Sequence, residues 1–177
     1  FGNGIELSAA AKRFQRCAGL QQAFHPRAGA DQVGPHVAGQ RLGFAPHIVH
    51  CNDWQTALAP AYLRYRHPAT AASVTTIHNL AFQGLFPATR LEALDLPASA
   101  MAIDGVEFHG RLSFLKAGLQ HSDRLTTVSP TYAREICEPE HGFGLDGLLR
   151  YRRDRRSGDL VGILNGIFVG LVAGLGM

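Results

Sequence analysis

Apolar and polar positions along the chain change period several times, and each change marks an element. Over residues 4–24, Leu7, Ala11, Phe14, Ala18 and Gln21 keep roughly helical spacing, with Ser8 available as a cap near the start. His25 to Gly43 is rich in Gly, Pro and Ala and reads as a loop. Ala45 to His50 is a short apolar run, expected to be a buried strand. Asp53 then stands where an N-cap belongs, and Trp54 to Tyr65 reads as a helix that Pro60 should kink. The β-branched run Ser73 to His78 predicts the next strand, and 79–97 a long loop with short elements. Arg111 to His121 predicts a helix and Arg124 to Ser129 a strand. Ser129-Pro130 opens a helix through Cys137, with Ser as N-cap and Pro at its first position. Leu160 to Leu164 is a last strand, and Asn165-Gly166 a turn.

Strands alternating with helices predict an α/β fold: a Rossmann-like parallel sheet with helices on both faces. In such sheets ligands sit beyond the carboxyl ends of the strands. Four predicted strand exits end in small polar chemistry: Cys51-Asn52-Asp53, His78-Asn79, Ser129 and Asn165.

Composition supports this and excludes other classes. The 177 residues suffice for one domain core, and 46% hydrophobic content rules out wholesale disorder. Charged residues make up only 18%, and there are 20 Gly, as expected of buried strands joined by tight loops. The net charge of +3 is local. Residues 150–156 hold five Arg and one Asp, so the rest of the chain sums to −1. That argues against a nucleic-acid face spread over the domain, and the Arg run reads as a solvated loop or helix end. Cys17, Cys51 and Cys137 are odd in number and widely spaced, so neither a disulfide scaffold nor a zinc ribbon follows, and a reducing, cytoplasmic compartment is expected. His47 and His50 lie three apart on a predicted strand and face opposite ways, so no shared metal is expected there. Neither a dinucleotide fingerprint, a P-loop nor a G-x-S-x-G elbow is present.

Two residues invite opposed readings. Asp53 is either a plain N-cap, worth about 1 kcal/mol, or a carboxylate at the mouth of the sheet that accepts from substrate hydroxyls. His78 is either tied to a neighbouring carbonyl or a polar contact to a ligand. Gln83-Gly84 lies in a loop whose Gly lets backbone approach a ligand closely.

Five segments carry a resemblance: HIVHCNDWQTALAPAYLR, TTIHNLAFQGLFP, GVEFHGRLSFLKAGLQHSDRLTTVSPTYAREI, GFGLDGLLRYR and GILNGI. In this order and spacing, over about residues 45–167, the chain resembles the bacterial glycogen synthase and plant starch synthase family. The resemblance implies part of the N-terminal, acceptor-side domain of a GT-B glycosyltransferase. Such enzymes transfer glucose from ADP-glucose, or UDP-glucose in some relatives, to the non-reducing end of an α-1,4-glucan, with retention and without a metal or other cofactor. Asp53 matches the acidic residue of the family's H-D-W motif, and Asn52 stands where many members have His. His78 matches the histidine of the T-I/V-H-N motif, which contacts the transferred glucose. Asn79, Gln83, Gly84 and Asn165, the last in the L-N-G turn, are implied substrate-binding residues. Asp53 and His78 would position sugar, the leaving phosphate taking the acceptor proton.

Residues 1–167 are expected to form the partial domain, and the resemblance stops at Phe168, where an apolar, Gly-rich tail to Met177 departs from the family. The family's K-T/V-G-G-L loop and its nucleotide-binding domain are absent, and the chain starts at Phe1, so a fragment that is inactive alone is the expectation. Alternatives are a glucan-binding module without catalysis and a truncated gene product without function. Residues 160–177 lack charge and place Gly at 162, 166, 170 and 174, a pattern found in packed membrane helices. Their first half matches a soluble strand and turn, so membrane association is not expected.

Overall fold

The computed structural model describes residues 46–65, 71–154 and 158–164. The predicted helix over 4–24, the loop over 25–43, Asn165 and the tail over 168–177 lie outside the described residues. In chain order the elements are β1 (Ile48–Asn52), α1 (Asp53–Thr56), α2 (Ala59–Tyr65), β2 (Ala72–Ile77), β3 (Leu85–Pro87), β4 (Glu107–Phe108), β5 (Arg111–Ser113), α3 (Phe114–His121), β6 (Arg124–Thr127), α4 (Pro130–Glu135), α5 (Asp146–Asp154) and β7 (Leu160–Gly162). Three single 3-10 turns punctuate residues 88–100.

The main sheet is parallel throughout, in the order β1-β2-β6-β7. Period-2 alternation sorts its side chains. Thr75, Ile77, Leu125, Thr127 and Leu160 are buried, while Ile48, His50 and Val161 on the alternate positions are exposed among the described residues. The inward set joins one apolar cluster with Ala57, Leu115 and Leu119, Ala133 and Ile136, and Leu149. Buried hydroxyls on this face are satisfied: Thr75 pairs with Ser122 at 2.7 Å, and Thr127 donates to the Ile77 carbonyl at 2.8 Å.

Several elements depart from expectation for identifiable reasons. The first strand begins and ends two to three residues later than predicted and runs through Cys51 and Asn52. The predicted helix over 54–65 is two helices broken at Ala57-Leu58, because Pro60 has no N–H to continue the ladder. Arg111–Ser113, expected to be helical, forms β5, the centre of a small antiparallel sheet ordered β3-β5-β4. Ser113 then caps α3 by accepting the Lys116 N–H at 3.1 Å. Ser129 caps α4 as predicted, accepting the Tyr132 N–H at 3.0 Å with Pro130 behind it.

The Arg run is not uniformly solvated. Arg150 and Arg153 pair with Asp146 and Asp154 at the surface, but Arg152 is only 3% exposed. Its guanidinium donates to the carbonyls of Leu119 at 2.5 Å and Ser122 at 2.7 Å, capping the carboxyl end of α3, and it lies 3.4 Å from Asp159. Asp159 also pairs with Arg124. This knot joins α3, α5, β6 and the entry to β7. Replacing Arg152 by Met strands those carbonyls and half of the Asp159 pairing. The R152M chain should lose about 3 kcal/mol, read as a lower urea midpoint at unchanged slope, with R152K recovering only part because it lacks the fork.

At the same helix end, burial and then the Arg64 charge lower the His121 pKa to about 4. A depressed pKa means that the unfolded chain binds the proton more readily. Stability held above the ordinary histidine range is therefore lost as pH falls from about 6.5 toward 4. The H121F chain should show a shallower loss of melting temperature over that window.

Candidate functional site

The carboxyl edge of the main sheet gathers the predicted polar residues of β1 and β2. A parallel sheet leaves backbone N–H groups unpaired where its strands end, and these need acceptors. Asp53 supplies one. Its backbone adopts φ +52°, a left-handed conformation that Asp tolerates better than most residues. Its Oδ1 accepts the N–H of His78 at 2.7 Å and of Asn79 at 3.3 Å. Asp53 is therefore not the N-cap of its own helix. That position belongs to Asn52, which makes no side-chain cap bond, and the Asp53 carboxylate instead caps the exit of β2. Its Oδ2 has no partner among the described residues.

Asn52 completes the junction. Its Oδ1 lies 3.0 Å from His78 Nε2. Its own N–H donates to Thr56 Oγ1 at 2.7 Å, and the Thr56 hydroxyl donates back to the Asn52 carbonyl at 2.8 Å. Cys51 just behind is no nucleophile, since burial pushes its thiol up to about 12. Of the other predicted exits, Ser129 serves as a helix cap, and Asn165 lies outside the described residues.

From Asn79 the chain turns sharply, the Asn79 Oδ1 accepting the Ala81 N–H at 3.0 Å. Leu80 plunges into the core, and its N–H donates to the Tyr132 hydroxyl at 2.9 Å. The Gln83 and Gly84 carbonyls accept the Leu115 and Phe114 N–H groups, both at 3.1 Å. The loop thus occupies the start of α3, which has no free donors there for an anion. Gly84 has φ +59°, and the close approach it permits is to protein: a Cβ there would meet Trp54 Cε3 at 2.5 Å.

Beside this loop runs a groove of about 590 Å³ lined chiefly by Trp54, Phe82, Gln83, Phe108, Arg111 and Phe143. Phe82 and Phe143 are 62% and 55% exposed. Gln83 is buried; its Nε2 donates to the Phe143 carbonyl at 2.9 Å, while its Oε1 is buried without a partner. The sequence reading found Gln83 and Gly84 but missed the aromatic walls and Arg111. The signal was present, since Phe82 and Phe143 are large apolar residues in glycine-flanked loops, where a purely structural loop favours polar side chains. Among the described residues no three His, Cys, Asp or Glu side chains gather as metal ligands, and no helix is long and apolar enough to cross a membrane.

Comparison with known proteins identifies the family. A family model described as the starch synthase catalytic domain matches residues 30–151. A glycogen synthase of Methylocella silvestris is 59% identical over 129 residues, 73% of this chain and 26% of that protein. One from Acidiphilium cryptum is 50% identical over 165 residues, 93% of this chain and 31% of that protein. Among solved structures, the catalytic domain of Starch Synthase IV from Arabidopsis thaliana, bound to ADP and acarbose, superposes with a TM-score of 0.70 at 31% identity. It covers 78% of this chain, which in turn spans 29% of that domain. The chain thus spans between a quarter and a third of the relatives it matches.

The Trp54–Gly84 contact is directly testable, because Trp54 is the single tryptophan. Gly84→Ala must displace the indole and strain a left-handed backbone, so it should cost about 2 kcal/mol and shift Trp54 emission. Gly110→Ala also has positive φ but meets nothing within 4 Å, and should leave the emission unchanged.

Proposed function

The chain belongs to the starch synthase catalytic domain family, and on that premise we propose that residues 1–167 form part of the N-terminal, acceptor-side domain of a retaining glucosyltransferase. The whole protein would move glucose from ADP-glucose to the non-reducing end of an α-1,4-glucan. The observation that carries this reading is the junction of Asn52, Asp53 and His78 at the carboxyl edge of the sheet, where α/β folds bind ligands. Its chemistry suits sugar hydroxyls. Asp53 keeps one carboxylate oxygen for an incoming hydroxyl while the other holds the backbone, and His78 is exposed at the same edge. The aromatic groove beside it suits the apolar faces of glucosyl rings. Asn79 and Gly84 shape the loop that bounds the groove, and Asn165 of the L-N-G turn is carried over from the family as a further substrate contact.

In the reaction, the acceptor oxygen bonds to the glucosyl anomeric carbon as the bond from that carbon to the diphosphate breaks. The acceptor proton passes to the departing phosphate oxygen on the same face. Asp53 and His78 position sugar, and the developing charge calls for preorganised electrostatic stabilisation. The described residues offer the groove only Arg111, whose guanidinium donates to the Leu85 carbonyl at 3.1 Å. The chain by itself is therefore proposed not to turn over. A second reading, a glucan-binding module without transfer, rests on the same groove.

Titration with maltoheptaose, followed by Trp54 fluorescence, tests the acceptor assignment. Saturable binding is expected, and F82A should weaken it about tenfold, equivalent to the loss of one aromatic contact. No response at millimolar sugar would overturn the acceptor assignment. Incorporation of labelled glucose from ADP-glucose into glycogen by the chain alone would overturn its proposed inactivity.

A further inference from the structure

We propose that Asn52 is a positioning residue that holds the His78 imidazole as its Nε2–H tautomer and leaves Nδ1 bare, as an acceptor for a sugar hydroxyl. Register sets the contact. Asn52 lies opposite Thr76 in the β1–β2 ladder, so His78, two residues further on, is its diagonal neighbour on the same face. The same diagonal recurs one step earlier, where His50 Nε2 lies 2.7 Å from Thr76 Oγ1, itself 2.6 Å from Thr126 Oγ1. The contact between Asn52 and His78 thus follows from the sheet rather than from a chance rotamer.

Both ends of the contact are held. Thr56 Oγ1 engages the Asn52 backbone N–H and carbonyl, and Asp53 Oδ1 fixes the His78 backbone N–H. Asn52 Oδ1 can only accept, so at 3.0 Å the imidazole Nε2 must carry the proton. A neutral ring with Nε2 protonated has its lone pair on Nδ1, for which the described residues supply no partner.

That lone pair selects its contact by chemistry. It accepts from a hydroxyl and repels the oxygens of a diphosphate. His78 would then read the sugar of a sugar-nucleotide donor, and the phosphates would need their contacts elsewhere. This last step rests on the glucosyl-transfer reading; the tautomer does not.

Nitrogen NMR of the full 177-residue chain labelled at histidine separates the two. The wild-type His78 ring should show nitrogen shifts of the Nε2–H tautomer. N52L should shift the tautomer ratio by about fivefold, the worth of one ordinary hydrogen bond. N52D, which keeps an acceptor oxygen in place, should retain the Nε2–H ring. The protected His78 amide, bonded to Asp53, reports whether each variant keeps its fold. A wild-type ring protonated on Nδ1 would mean that Asn52 presents its amide N–H instead, and would overturn the proposal. So would an N52L ring identical to wild type with the His78 amide still protected. Neither result bears on whether glucose is transferred, and a chain that transfers none would leave the tautomer standing.

Discussion

One carboxylate holds the carboxyl edge of the main sheet together. The end of β2 presents two backbone N–H groups with no strand to pair them, and Asp53 Oδ1 takes both. At this exposed edge each such bond is worth about 0.5–1.5 kcal/mol. The bond also sets the spacing between the exits of β1 and β2. His78 can then meet Asn52, and the turn at Asn79 can start where it does. Without it the polar residues would still be present, but nothing would keep them in one place.

From that junction order passes into the core through the loop that follows. Leu80 anchors it in the apolar cluster, and Gln83 and Gly84 end it by capping α3. The far end of α3 is capped by Arg152, whose other contacts reach Asp159 at the entry to β7. A single helix is therefore held at its amino end by the loop beside the groove and at its carboxyl end by a buried cation. The loop that lines the groove is thereby tied to a helix held at both ends.

The parallel sheet was legible because β-branched runs alternating with helical spacing have few other solutions. The caps at Ser129 and the break at Pro60 were legible because both follow from local chemistry. What was not legible depended on partners distant in sequence. Arg111–Ser113 reads as the first turn of a helix, and only pairing with residues 85–87 and 107–108 draws it into a strand. Arg152 reads as one more surface arginine in a charged run, and only the end of α3 makes it a core residue. Asp53 carried the local signature of an N-cap, yet its acceptor role is spent on residues twenty-five positions away. The candidate site was legible in its polar members and not in its aromatic ones, because the aromatic walls come from a helix, a strand and two loops that no local pattern joins.

The left-handed backbone at Asp53 has a consequence for how this position can drift over generations. Only glycine and a few short polar side chains, chiefly asparagine, aspartate and histidine, enter that conformation readily. Of these, glycine brings no acceptor, and histidine brings a ring in place of a fork of two oxygens. Conformation and chemistry thus filter the same position independently, and aspartate is the residue that passes both with one oxygen to spare. Asparagine in its place would keep the two backbone bonds and lose only the spare carboxylate oxygen.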